Sequence, residues 1–120
     1  MMDLTFIDKD NEIKNISVSD YCFERLAILG FSKKVEYQEK SFFVEGEDYT
    51  VLAVSLIGNN RKILIEIVEG ERQSELEKLF KHIDEKPTVK EVRSQLSYIK
   101  ELTEIYKNLK TDNNIYFSYE

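Results

Sequence analysis

Reactive chemistry in this chain would have to rest on very few side chains, because its 120 residues include one histidine, His82, one cysteine, Cys22, and no tryptophan. A zinc site or a thiol dyad needs a second His or Cys within ligating reach. His82, in Phe80-Lys-His-Ile83, falls on the polar side of an amphipathic run and reads as a solvated surface residue. Cys22 falls on an apolar stripe and reads as a small packed hydrophobe, since a reactive thiolate needs an open, electropositive setting. The segment Asp8-Lys-Asp-Asn-Glu12 begins like a calcium loop, but Ile13 stands where the sharp turn needs glycine, and Ser19 where the bidentate glutamate belongs. Gly30, Gly46, Gly58 and Gly70 are isolated, so no phosphate-cradling loop can be built from them. No catalytic residue, metal ligand or cofactor is expected, although a carboxylate pair formed by tertiary proximity leaves no trace in a sequence.

Charge patterning says more. Glu45, Glu47 and Asp48 precede one apolar run, Tyr49 to Ile57, and Glu66, Glu69 and Glu71 lie in and beyond another, Lys62 to Val68. Read as two central strands joined through Gly58-Asn-Asn-Arg61, the runs form an antiparallel hairpin that brings these six acids to one edge. They are the expected partner-binding residues, the alternative being a solvated rim that keeps the protein soluble. A basic ridge, Lys86, Lys90, Arg93, Lys100 and Lys107, recurs at helical spacing and reads as stems covering a helix flank. Phe43, Tyr98 and Tyr116 are candidate exposed anchors.

The elements that must carry these groups follow from local signals. Leu4 to Ile7 and Ile13 to Val18 flank a polar turn and predict a small hairpin. Ser17 or Ser19 caps a helix through Leu29, with Val18, Cys22, Leu26 and Leu29 on one stripe and Gly30 as its left-handed stop. From Lys34 the period becomes two, through Val35 and Tyr37, and after a turn near Glu39-Lys40 it resumes from Phe42 to Glu45. Ser74-x-x-Glu77 and Thr88-x-x-Glu91 match the capping box and predict two helices, broken at Lys86-Pro87, the second from about Val89 to Lys110. Ile115 to Tyr119 returns as a strand.

The expected fold is therefore one α+β domain over residues 1–120, with a mainly antiparallel sheet of about six strands, one amino-terminal helix and a carboxy-terminal helical pair. With 42% hydrophobic and 33% charged residues and a net charge of -6, the chain can bury a core without staples. The negative balance disfavours direct nucleic-acid binding. With no signal-like or membrane-length apolar segment and one unpaired cysteine, a cytoplasmic setting is expected. The functional expectation is a small acidic binding protein that inhibits or neutralises a basic protein partner, in the manner of immunity proteins or phage-encoded inhibitors, possessing no enzyme activity. The alternatives are a small-ligand protein or carboxylate enzyme with a closed pocket, and an assembly subunit with an exposed apolar face.

Overall fold

The computed structural model describes residues 2–119. Its elements in chain order are strands β1 (Met2–Asp8) and β2 (Ile13–Val18), helix α1 (Asp20–Leu29), strands β3 (Gln38–Val44) and β4 (Glu47–Ser55), helices α2 (Asn59–Asp84) and α3 (Val89–Lys110), and strand β5 (Asn114–Tyr119). The strands form one antiparallel sheet in the order β2-β1-β5-β4-β3. The α+β architecture with one early and two late helices is as expected, with five strands in place of about six.

The missing strand is the second half of the supposed central hairpin. Lys62 to Val68 is the opening of α2, and Gly58, at φ 84, turns the chain from β4 into that helix. The run is apolar at both the strand and the helix period, and a short run of that kind does not distinguish them. Burial decides: Leu64 and Val68 continue into Glu71, Glu75 and Leu79 as one inward stripe at helical spacing. Ser74 consequently lies inside α2 and caps nothing, and the two acidic groups are carried on a strand turn and a helix instead of converging at a hairpin edge.

Other local signals hold. In the β1–β2 turn the Asp8 carboxylate accepts from the backbone amides of Asp10 and Glu12 at 2.8 and 2.9 Å. Ser19 caps α1, its hydroxyl accepting from the Cys22 amide at 3.2 Å, and Gly30, at φ 107, ends it by donating to the Leu26 and Ala27 carbonyls. Thr88 caps α3 by accepting from the Glu91 amide. The strand expected from Lys34 begins at Gln38, leaving Val35 buried ahead of it, and the turn expected near Glu39-Lys40 is absent: both residues are paired with β4 within β3, an edge strand whose polar side chains can stay in solvent.

One face of the sheet carries the core. Leu4 and Phe6 of β1 register with Tyr119 and Phe117 of β5, and Val54 of β4 with Phe117. Val18, Leu26, Leu64, Leu102, Ile105 and Leu109 close this layer from β2 and the helices. The opposite face is partly covered by the β3–β4 hairpin. β4 runs paired with β3 from Glu47 to Ala53 and registers with β5 at its end, at Val54 and Ser55. The Phe42 ring reaches 5.4 Å from that of Tyr116, and Ile7 and Phe42 are buried on this side. Tyr116 is therefore covered by Phe42, with Lys40 5.4 Å over its ring.

The helical hairpin gives the molecule its long axis in extents of 54 × 27 × 22 Å. Buried positions end at Leu79 in α2 and begin at Tyr98 in α3, so the turns between them project beyond the core.

Arg61, expected in a strand turn, sits in the first turn of α2. Its guanidinium donates to the carbonyls of Leu56 at 3.2 Å, Leu109 at 2.6 Å, Thr111 at 3.0 Å and Asn114 at 2.6 Å. Replacing it with Met leaves carbonyls at three element ends without a donor, and should cost about 3 kcal/mol in urea unfolding. Arg61→Lys should recover less than half of that, because an ammonium cannot span the fork. A loss below about 1 kcal/mol for Arg61→Met would show the clamp to be dispensable.

Candidate protein-binding groove

A groove of about 800 Å³, open to solvent, runs between the start of α1, the middle of α2 and the first half of α3. Its wall is largely α3, from Val89, Lys90, Arg93, Ser94, Gln95, Ser97, Tyr98 and Glu101, faced by Ser19 and Tyr21 of α1 and Glu75 of α2. Apart from Val89, which continues the stripe of Val92, Leu96 and Ile99, the groove-lining residues Lys90, Arg93, Ser94, Ser97 and Glu101 lie on a different side of α3 from that stripe.

Behind the groove lies a buried polar centre. The Glu71 carboxylate accepts from Tyr98 Oη at 2.6 Å and from Arg25 Nε at 2.7 Å, with Arg25 Nη2 at 3.3 Å from its other oxygen. Burial pushes the Glu71 carboxyl up, but the hydrogen bonds from Arg25 and Tyr98 and the Arg25 charge outweigh it, so its pKa is lowered. Burial, followed by the bond to Glu71, raises that of Tyr98. Glu101 accepts from both the hydroxyl and the backbone amide of Ser19, joining α3 to the start of α1. These carboxylates are hydrogen-bonded acceptors in a framework, and they hold the groove wall in place.

The groove mouth differs. Lys90 and Arg93 make no ion pair among the described residues, and Tyr21 is 58% exposed, its ring 5.0 Å from that of Tyr98 in an edge-on arrangement. Two cations thus stand beside serine hydroxyls and aromatic surface, a combination suited to an acidic group carried next to an apolar one.

The sequence-designated acids are dispersed. Glu45, Glu47 and Asp48 lie at the β3–β4 turn, where Glu47 accepts from Tyr49 Oη at 2.9 Å. Glu45 shares a shallow hollow with Asp10 and Glu12 of the β1–β2 turn. Glu66 is exposed on α2, Glu69 binds Arg72 at 3.3 Å and Gln73 at 2.9 Å, and Glu71 is buried. Of the proposed anchors, Phe43 is exposed, Tyr116 half-buried and Tyr98 only 4% exposed.

His82 is more engaged than a solvated surface residue. Its Nδ1 lies 2.8 Å from the Gln95 amide oxygen and its Nε2 3.0 Å from Glu91, tying α2 to α3 near the tip. The Gln95 bond raises its pKa and outweighs the desolvation that lowers it, with Glu91 and Glu85 adding to the rise. Cys22 is buried as expected; burial, then the charges of Glu101 and Glu71, push its thiol up to about 12, away from the thiolate. Among the described residues no group of three or more His, Cys, Asp or Glu could hold a metal ion, and no helix is long and apolar enough to cross a membrane.

The signals that sequence reasoning missed are long-range. Arg25, Glu71 and Tyr98 come from three helices, and no local pattern marks them as partners. The basic residues, unpaired among the described residues, were visible as a ridge, but not the groove that Lys90 and Arg93 line.

Comparison with protein-family models, curated proteins and solved structures finds no match.

Removing the Glu71 charge should weaken the molecule in a pH-dependent way. Because its folded-state pKa is lowered, Glu71 contributes stability that is present above the ordinary value of 4.5 and lost as pH falls through the folded value. Glu71→Gln should therefore cost about 2 to 3 kcal/mol at pH 7. The gap to the unmodified protein should narrow steadily below pH 4.5 in urea titrations. A gap that stays constant down to pH 3 would contradict this account of the centre.

Proposed function

We propose that the protein is a non-enzymatic binding protein that captures a segment of a protein partner in the groove between α1 and α3. The observation carrying this reading is the pairing of unpartnered Lys90 and Arg93 with exposed aromatic surface along an open channel. A channel open to solvent suits an extended or helical segment better than a small molecule, whose sites enclose most of the ligand surface. The nearby carboxylates of Glu71 and Glu101 are held in hydrogen bonds that join elements, which favours binding over acid–base catalysis.

The chemistry of the groove fits a segment bearing Asp, Glu or a terminal carboxylate beside an aliphatic or aromatic residue. This differs from the basic partner expected of a converged acidic patch, because Glu71 is internal and the turn acids stand apart from α2. Neutralisation of the partner is the narrower form of the proposal, and follows where the captured segment belongs to the partner's working surface. A reducing cytoplasm suits the single buried thiol.

Selection from a displayed random peptide library should enrich sequences with a carboxylate next to an apolar residue. Their affinity should fall about tenfold or more for the Lys90→Glu/Arg93→Glu protein, the loss of roughly 1.4 kcal/mol in a fluorescence-polarisation titration. Enrichment of basic peptides, or binding indifferent to both substitutions, would remove the groove as the site.

A further inference from the structure

We propose that two copies of this chain associate face to face through the outer side of the α2–α3 hairpin, about a two-fold axis parallel to the helices. The first observation is a matched pair of apolar stripes on the projecting part. Leu76, Phe80 and Ile83 of α2 and Val92, Leu96 and Ile99 of α3 have the same helical spacing. Phe80, Ile83 and Leu96 are 68%, 50% and 49% exposed, while Ile99, at 8%, forms the floor of the seam. This seam is angularly distinct from the inward stripe of Leu64, Val68, Glu71, Glu75 and Leu79.

The second observation is the charge on its two borders. Along the border of α2 run Glu77 and Asp84; along that of α3 run Arg93, Lys100 and Lys107, successive residues about two turns apart. The last three make no ion pair among the described residues, and Lys100 is not joined to Glu104. The hydrogen bond from His82 to Gln95 fixes which residues stand level across the hairpin. Equal steps along the antiparallel helices put Glu77 level with Lys100 and Asp84 with Arg93, which also lines the groove.

These borders select one symmetry. A two-fold axis parallel to the helices lays α2 of each copy over α3 of the other and keeps every residue at its own height, so acid meets base at both levels. An axis crossing the helices would lay α2 on α2 and α3 on α3, setting like charges together. The selected arrangement is a four-helix layer with a sheet on each outer side, and the grooves remain outside the apolar seam. The seam with its two charged levels, about nine residues or roughly 14 Å long and two helices or roughly 20 Å wide, removes about 600 Å² in total, in the range of a weak, reversible association.

Sedimentation velocity of the full chain from about 1 to 500 μM should show a monomer–dimer equilibrium, with Leu96→Glu shifting it to monomer. Lys100→Glu and Glu77→Lys should each raise the dissociation constant about tenfold, and the double variant should return to within about threefold of the unmodified protein. Circular dichroism should report the same helix content in all four variants, since every substitution is on exposed helix surface. A monomer throughout the range would overturn the proposal and give the seam to a different protein. A dimer that survives Leu96→Glu, or charge reversals that add instead of cancelling, would also overturn it.

Discussion

The guanidinium of Arg61 holds the junction on which both faces of the molecule depend. At this point β4 has ended, α2 begins, α3 runs out and β5 starts, so several carbonyls have no partner within their own element. One planar cation reaches four of them. Its position at the carboxy-terminal end of α3 also opposes the negative pole of that helix. Asn108 and Asn114 complete the corner, the Asn114 amide donating to the Asn108 carbonyl at 2.9 Å and that of Asn108 to Glu104 at 2.9 Å. With this corner fixed, the helical hairpin has a set direction relative to the sheet.

From that direction two unlike surfaces follow. On the inner side the hairpin meets α1 through buried charge, where Arg25, Glu71 and Tyr98 satisfy one another and Ser19 is held by Glu101. Such a centre discriminates among packings because any other leaves a charge unpaired, though it contributes little net attraction. On the outer side the same two helices present apolar side chains bordered by opposite charges. The groove and the seam thus share α2 and α3, with Arg93 at the border of both.

How much of this is legible in the sequence depends on the range of the signal. The β1–β2 turn, the Ser19 and Thr88 caps, the Gly30 stop and β5 are written within a few residues, and each lies where the local pattern puts it. The first half of α2 is different. Ile63, Ile65 and Ile67 alternate like a strand, and only tertiary packing of Leu64 and Val68 with residues further along selects the helix. The error displaced the candidate site, because acids placed on facing strands converge whereas acids spaced along a helix spread over its surface. The Arg25–Glu71 pair and the groove arise from contacts between distant segments, which no residue spacing encodes.

The sheet order carries a consequence for how the chain acquires its shape. β5, the last strand in sequence, lies between β1 and β4, and it is the strand through which the two hairpins are joined. In vectorial synthesis both hairpins exist before their common neighbour does, each with an unfilled edge and an uncovered apolar face. Closure is then a late, long-range step that inserts one strand between two waiting ribbons and buries Phe117 against Phe6 and Phe31 as it does so.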